Sequence, residues 1–184
     1  MSRYAAMFER LQACGEGAFG AFLMLGDPDL ETSACQLDAV IAGGADMLEV
    51  GIPFSDPIAD GPVIQAAAGR ALAARVKVSD CLALIATVRS RHPDLPIGLL
   101  TYANLVLAPG RDTFCRAAAT AGTDSLLVAD VPSMEAEPWV EDMRQAGLEP
   151  VMIAAANTPA EALARIAGLG GAYTYCVTRV GVTQ

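Results

Sequence analysis

The chain has too few residues of several reactive types for most kinds of catalytic site. It contains one histidine, His92, one lysine, Lys77, and five cysteines that form no CxxC pair. A zinc or iron site, a histidine-activated nucleophile and a lysine Schiff base each need side chains that this composition does not place near a pocket. No GxGxxG or P-loop sequence follows the first predicted strand. We therefore expect no metal site and no bound cofactor.

Positive charge and long apolar runs are also scarce. The formal net charge is −9, which leaves no basic surface for nucleic acid or for an anionic membrane. The apolar run 18–25 is far shorter than the roughly 20 residues that span a bilayer, and Glu9 and Arg10 interrupt the order typical of a signal peptide. The odd number of widely spaced cysteines is typical of reduced thiols in a core. We expect a cytoplasmic protein with no membrane or nucleic-acid partner.

Continuous apolar runs alternate with helical patterns along the chain, as buried parallel strands and their crossover helices do. Six such strands imply a parallel α/β sheet, either open and doubly wound or curled into a barrel, within a single domain over residues 1–184. A further amphipathic helix, with Tyr4, Met7, Phe8 and Leu11 on one face, precedes the first strand and is expected to cover one end of the core. The predicted strands are 19–25, 46–51, 96–101, 125–129, 150–154 and 172–177, and the predicted helices are 31–42, 63–74, 78–91, 112–121 and one that begins near Pro159.

Carboxylates are the remaining candidates for chemistry, and three of them lie in the stretch ADMLEVGIPFSDPIADGP. Glu49 falls near the carboxyl end of the second strand, where α/β proteins keep their active sites. Gly51 shares its face of the strand and is expected to leave open space there. Flanking apolar residues should raise the pKa of Glu49, as a general acid requires, although a structural acid paired with an arginine fits the spacing equally well. Asp56 and Asp60 follow in the loop, where turn formation is the alternative to a functional role.

A resemblance to a known family rests on the same stretch. LEVGIPFSDPIADGPVIQ is similar to the signature of the tryptophan synthase alpha subunit, and EGAFGAFLMLGDPD, PIGLLTYANLV, AGTDSLLVADVP and YTYCVTRVGVT continue the likeness in order. The resemblance implies a (β/α)₈ barrel of the TIM type and a lyase of tryptophan biosynthesis. It further implies retro-aldol cleavage of indole-3-glycerol phosphate to indole and glyceraldehyde 3-phosphate, with indole passed to a beta subunit in an α2β2 heterotetramer.

The resemblance also implies a role for individual residues. Glu49 would protonate the indole ring, and Asp60 would stabilise the positive charge that develops on the ring nitrogen. Tyr102 and Tyr175 are assigned to the indole pocket, although from position alone they are equally hydrogen-bond donors or aromatic residues at the edge of the core. The implied pocket is formed by Phe22, Leu100, Tyr102, Ala129, Ile153 and Tyr175, with Thr183 in a lid loop, and the implied face toward the beta subunit by Asp56, Pro57, Asn104 and Pro132.

The end of the sequence departs from the family pattern. The family holds the substrate phosphate mainly with glycine-rich loops after strands seven and eight, whereas only about six βα units are predicted here and Gln184 falls where the lid motif has glycine. We expect a C-terminally incomplete alpha subunit that, as 184 residues, is inactive and prone to aggregate. Two alternatives stay open: a non-catalytic module that binds and modulates a beta subunit, and a related phosphate-binding barrel, which the long acidic loop disfavours.

Overall fold

A computed structural model describes residues 1–178, in which strands and helices alternate as the apolar pattern predicts. The predicted strand order is confirmed, and the bounds agree to within about two residues. The lid threonine, Thr183, lies outside the described residues. The elements are α1 (Arg3–Cys14), β1 (Gly20–Met24), α2 (Leu30–Ala42), β2 (Met47–Gly51), α3 (Pro62–Ala73), α4 (Val78–Arg91), β3 (Ile97–Thr101), α5 (Ala103–Leu107), α6 (Arg111–Ala121), β4 (Ser125–Val128), α7 (Glu137–Gln145), β5 (Glu149–Pro150), β6 (Met152–Ala155), α8 (Ala160–Leu169) and β7 (Thr174–Val177).

The strands are parallel and follow one another in sequence order, which is the arrangement of a βα barrel. Strands β1 to β5 form one sheet in the order β1-β2-β3-β4-β5, and β6 pairs with β7. The single strand predicted over 150–154 is therefore wrong in one respect, because the segment changes partner along its length. Its first part pairs with β4, and its second part pairs with β7. The carboxyl ends of β4 and β6 diverge at this point.

Two helices were not predicted from the sequence. Helix α5 has only five residues, and its first N–H, that of Ala103, is capped at 2.7 Å by the carboxylate of Asp130. Asp130 follows the neighbouring strand β4, so this cap joins residues 27 positions apart in the sequence. Helix α7 is polar overall but amphipathic, with Val140 and Met143 buried on one face. Helix α5 is too short to show a helical period, and the period of α7 extends over only nine residues, so neither helix was predicted.

The main core lies between the outer face of the sheet and the surrounding helices. Alternate residues of each strand, such as Leu48 and Val50 of β2, point outward into it. The intervening residues point to the inner face, where Glu49 lies level with Phe22 of β1 and Gly98 of β3. The inner face therefore carries Glu49, and its carboxyl end is the expected place for chemistry.

Helix α1 covers the inner face from the amino-terminal side, as expected. Tyr4, Met7 and Leu11 are buried, and they pack with Met47, which lies directly before Glu49 on the inner face. Phe8 does not share their environment, because it is 41% exposed. The interior below Glu49 is therefore sealed from solvent by this helix.

An arginine clamp holds the amino-terminal ends of β3 and β4. The Arg89 guanidinium donates to the carbonyl oxygens of Gly122 and Leu95 and to the Asp124 carboxylate at 2.6 Å. Asp124 in turn accepts the N–H of Ile97 at 2.8 Å. Both charged side chains are largely buried, at 13% and 9% exposed. One ion pair thus ties the end of α4 to two adjacent strands.

The cysteine prediction is only partly confirmed. Cys81 and Cys115 are buried, whereas Cys14, Cys35 and Cys176 are exposed free thiols. Over residues 1–178, no helix is long and apolar enough to cross a membrane. The same part of the chain contains no group of three or more histidine, cysteine, aspartate or glutamate side chains arranged to hold a metal ion.

Candidate active site

Glu49 is a buried acid at the centre of strand β2. Its side chain is only 7% exposed, and its Oε1 accepts a hydrogen bond of 2.8 Å from the Tyr173 hydroxyl. Burial raises the pKa of Glu49 above its ordinary value, and the hydrogen bond from Tyr173 opposes part of that rise. No arginine within residues 1–178 forms an ion pair with Glu49. Glu49 is therefore a largely desolvated carboxyl group with one hydrogen-bond donor and no ion-pair partner among residues 1–178.

Asp60 lies at the end of the loop that follows β2, and Tyr102 holds it there. The Tyr102 hydroxyl donates to the Asp60 carboxylate and accepts the N–H of Ala59 at 3.2 Å. The ring of Tyr102 is almost fully buried and stacks on Phe54 of the same loop, with the ring centroids 5.3 Å apart. Burial also raises the pKa of Asp60, and the Tyr102 hydrogen bond lowers it in part. Tyr102 therefore acts as a hydrogen-bond donor that fixes the acidic loop.

Tyr175 connects the two acids. It is half-buried on β7, where it lies beside Ile153 of β6. Burial raises the pKa of Tyr175, and the negative charges of both Glu49 and Asp60 raise it further. The charges of both carboxylates therefore act on the same Tyr175 hydroxyl. We infer that the two acids border one space toward the carboxyl end of the strands.

The remaining apolar residues of the expected pocket line the same end of the sheet. Phe22 lies level with Glu49, and Leu100 lies level with Gly51 one layer nearer the carboxyl end. A methyl group on Gly51 would stand 2.9 Å from the Phe22 ring and 3.2 Å from Met24. The expectation that Gly51 leaves open space is therefore wrong, because these two side chains fill it. The glycine is instead what allows the Phe22 ring to lie above the acid.

Ala129 and Ile153 border a cavity of about 230 Å³ where β4 and β6 diverge. The single tryptophan of the sequence, Trp139 of α7, lines its outer side, and the Arg111 guanidinium lies 5.5 Å from the centre of the indole ring. Pro132 also borders this cavity. The cavity thus joins one wall of the expected indole pocket to the expected partner face.

The four residues of the expected partner face lie after three successive strands. Asp56 and Pro57 follow β2, Asn104 follows β3 and Pro132 follows β4, and all but the half-buried Pro57 are exposed. Each of these segments also exposes one large apolar side chain that the sequence analysis missed. These are Ile58 at 73%, Leu107 at 50% and Met134 at 78% exposed.

Tyr173 is the site residue that sequence reasoning missed. It lies just before β7, and its hydroxyl contacts Glu49, which is 124 positions earlier in the chain. The only signal in the sequence is that two tyrosines, Tyr173 and Tyr175, alternate across the start of the predicted sixth strand. That alternation places both on one face, and the structure turns both toward Glu49.

Parallel strands in sequence order, with one partly desolvated acid on β2 and a second in the loop that follows it, are the arrangement of an α/β barrel. The model of the family "Tryptophan synthase alpha chain" matches residues 8–184. The chain belongs to the tryptophan synthase alpha chain family, whose members are lyases of tryptophan biosynthesis.

Individual relatives show the same likeness in sequence and in structure. The tryptophan synthase alpha chain of Shewanella amazonensis is 50% identical over 183 residues, which cover 100% of this chain and 69% of that relative. The crystal structure of tryptophan synthase subunit alpha from Legionella pneumophila superposes with a TM-score of 0.93 at 33% identity, covering 97% of this chain and 68% of that chain. The tryptophan synthase complex from Pyrococcus furiosus gives a TM-score of 0.83 at 37% identity, covering 87% and 66%. The chain thus spans about two thirds of the length of these relatives.

Proposed function

We propose that, contrary to the inactivity expected from its sequence, this chain carries out the retro-aldol cleavage of indole-3-glycerol phosphate to indole and glyceraldehyde 3-phosphate in the cytoplasm, with Glu49 as the general acid and Asp60 as the partner of the indole nitrogen. The observation that carries the proposal is the pair of partly buried acids, each held by a tyrosine hydroxyl: Glu49 by Tyr173 and Asp60 by Tyr102. Two carboxyl groups around one apolar space suit an aromatic substrate whose bond to its side chain is cleaved, because one acid can protonate the ring and the other can stabilise its positive charge.

The first step requires a proton donor that is neutral at the working pH. Glu49 would protonate C3 of the indole ring, and the ring would become an indoleninium cation that accepts the electrons of the breaking bond. Burial of Glu49, which raises its pKa, supports this role because it keeps the carboxyl group protonated at a higher pH than an exposed glutamate. The bond from C3 to the glycerol side chain then breaks, its electrons return to the ring, and the side-chain hydroxyl gives its proton to the Glu49 carboxylate as the aldehyde forms.

The second acid would stabilise the positive charge on the ring nitrogen. Asp60 is suited to this role because Tyr102 and the Ala59 N–H hold its loop at the rim of the pocket. A fixed carboxylate costs little reorganisation when the charge develops, which is how preorganised groups lower a barrier. Phe22, Leu100, Ala129, Ile153 and Tyr175 would enclose the apolar ring between the two acids, and Thr183, which lies beyond the described residues, is proposed to close over them.

The test is indole formation from indole-3-glycerol phosphate with the 184-residue chain in excess over substrate. These single-turnover conditions follow the chemical step without repeated product release. Indole formation above the buffer rate that disappears in Glu49→Gln would support the proposal. The Shewanella amazonensis relative serves as the positive control, and a chain that forms no indole where that control does would contradict the proposal.

Substitution of Asp60 by asparagine is expected to slow the single-turnover step about 100-fold. Asparagine keeps the size of the side chain but removes the negative charge that would face the ring nitrogen, and loss of one preorganised electrostatic contact typically costs about 10²-fold. The Asp94→Asn variant makes the same change in an exposed loop at the opposite end of the sheet and should react at the wild-type rate. Equal rates for wild type and Asp60→Asn would remove Asp60 from this role.

We further propose that the carboxyl-end loops bind a tryptophan synthase beta subunit in an α2β2 complex. The Pyrococcus furiosus relative is described as part of a tryptophan synthase complex. In this chain, Ile58, Leu107 and Met134 are exposed next to Asp56, Asn104 and Pro132, so three adjacent loops combine apolar and polar groups as protein interfaces do. No observation favours the non-catalytic alternative, because the same structure also assembles the two acids.

The Met134→Asp variant is expected to bind a beta subunit at least about tenfold more weakly than the wild type. A new charge buried in an interface loses its hydration without gaining a partner, and Met134 is the most exposed of the three apolar side chains. Leu163→Asp places the same charge on helix α8, away from these loops, and should leave affinity unchanged. Co-elution and isothermal titration would measure both, and unchanged affinity for Met134→Asp would exclude Met134 from the interface.

A further inference from the structure

Three hydroxyl groups converge on one point of the inner sheet face, beside Gly98. A methyl group at Gly98 would stand 2.9 Å from Ser125 Oγ, 3.0 Å from the Tyr4 hydroxyl and 3.5 Å from the Tyr173 hydroxyl. The three side chains come from α1, β4 and the segment before β7, and they meet only because this position of β3 carries no side chain. We refer to Tyr4, Ser125 and Tyr173 as the hydroxyl cluster.

The hydroxyl cluster lies level with the proposed acid. Glu49, Gly98 and Ser125 are register neighbours on the adjacent strands β2, β3 and β4. The Tyr4 hydroxyl is hydrogen-bonded to Ser125 Oγ at 2.9 Å, and the rings of Tyr4 and Tyr173 pack with their centroids 5.6 Å apart. Tyr173 then donates to Glu49 at 2.8 Å. The cluster is therefore a chain of contacts that leads from Ser125 to the carboxyl group.

We propose that Gly98 is a positioning residue for Glu49, because its missing side chain lets the hydroxyl cluster close and so aims the Tyr173 hydroxyl at the carboxyl group. Glycine is needed at position 98 because the three hydroxyl groups approach it closely. Backbone freedom is not the reason, because the φ angle of Gly98 is not positive. The role of Glu49 as the acid rests on the proposed function, whereas the geometry of the cluster does not.

An alanine at this position would disturb the cluster at its tightest contact. Carbon–oxygen separations of 2.9 and 3.0 Å are too close, so Ser125 and Tyr4 must move. Tyr4 is 1% exposed and has no free volume to enter without displacing its neighbours. Tyr173 packs directly against it, so the displacement reaches the hydroxyl that serves Glu49. The carboxylate would then lose a donor that favours its charged form.

The other groups that face Glu49 set the background for a titration. Tyr4 from α1 and Tyr173 and Tyr175 from the β7 segment are phenols whose pKa values are raised, mainly by burial, so they stay neutral below pH 10. Asp60 from the acidic loop is the other carboxyl group at the site, and it acts on Tyr175 together with Glu49. A change in the Glu49 midpoint at acidic to neutral pH therefore reports the hydrogen bond and not the ionisation of a phenol.

The experiment follows the Glu49 side-chain carboxyl carbon by NMR during a pH titration of the 184-residue chain without substrate. We expect the midpoint to rise by about one pH unit in Gly98→Ala and in Tyr173→Phe, because both remove the same hydrogen bond. The double variant should titrate like Tyr173→Phe alone. Gly69→Ala, which adds a methyl group in open space on helix α3, should not shift the midpoint.

Two results would overturn the proposal: an unchanged midpoint in folded Gly98→Ala, or shifts that add in the double variant. If Gly98→Ala does not fold, Ser125→Ala carries the test, because it removes one member of the cluster and adds no atoms. An unchanged midpoint in that variant would equally overturn the proposal. The titration needs no turnover and can be carried out on a chain without lyase activity. Absence of that activity would refute the proposed function, whereas the titration would still show whether Gly98 positions Glu49.

Discussion

Glu49→Gln is expected to slow indole formation about 1,000-fold in single turnover while the chain stays folded. Glutamine has nearly the shape of glutamic acid and still accepts the Tyr173 hydroxyl, but it has no proton to give to the indole ring, and a positioned general acid typically contributes 10²- to 10⁴-fold. The measurement is quenched-flow detection of indole. Glu9→Gln, on the exposed side of α1, is the matched control and should react at the wild-type rate.

The pH dependence of the wild-type reaction checks the same assignment. Only the protonated carboxyl group can donate, so the rate should fall as pH rises through the pKa of Glu49. Since burial raises that pKa above 4.5, the fall should lie at a higher pH than for an exposed glutamate. Because the pKa of Glu49 is raised in the folded state, its contribution to the free energy of unfolding is fully present below about pH 4.5, its value in the unfolded chain. That contribution is lost as the pH rises through the folded-state pKa. Glu49→Gln should therefore unfold at neutral pH no more easily than the wild type, and a clear loss of stability would show that Glu49 is structural.

Arg89→Ala is expected to lower the free energy of unfolding by about 3 kcal/mol or more. The substitution removes the largely buried partner of the Asp124 carboxylate, which is 9% exposed, and leaves it paired only with Arg3, which is 42% exposed, at 2.7 Å. Removal of one member of a buried ion pair typically costs about 3–5 kcal/mol, and the remaining pair with Arg3 places the expected loss at the lower end of that range. It also removes the hydrogen bonds that the Arg89 guanidinium donates to the carbonyl oxygens of Gly122 and Leu95. Urea unfolding followed by circular dichroism measures the change.

Arg89→Lys separates charge from geometry at the same place. Lysine keeps the positive charge, but its single ammonium group cannot span the carbonyls and the carboxylate that the planar guanidinium reaches. We expect a loss smaller than that of alanine but still above about 1 kcal/mol. If alanine costs less than about 1 kcal/mol, the clamp is not a major source of stability.

The parts of the structure that depend on local pattern were predictable. Continuous apolar runs such as 46–51 place residues on both faces of a buried strand, and their alternation with helices predicts parallel strands. The family resemblance, and not the alternation, favoured a barrel over an open sheet. The same local signals positioned Glu49 on the second strand and Asp60 in the following loop, although Glu49 lies at the centre of β2 and not near its carboxyl end. Family resemblance, and not spacing, separated Asp60 from Asp56.

The parts that depend on distant contacts were not predictable. Helix α5 is capped by Asp130 from the next loop, and Tyr173 reaches Glu49 from 124 positions away. Tyr102 was open as a hydrogen-bond donor, but its partners, the Asp60 carboxylate and the Ala59 N–H, were not predictable. A hydroxyl group gives no periodic signal, and its partner is known only when the strands are laid side by side. The change of strand partner between β5 and β6 is a property of the assembled sheet in the same way.

Trp139 gives this molecule a local optical signal. It is the single tryptophan of the sequence, it lines the cavity between the diverging ends of β4 and β6, and a guanidinium lies over its ring. Emission excited at 295 nm therefore arises from one place on the molecule, at the junction of the proposed substrate pocket and the proposed partner face. The wild-type chain thus carries an intrinsic fluorophore where both binding events would be seen, and neither labelling nor substitution is needed to observe them.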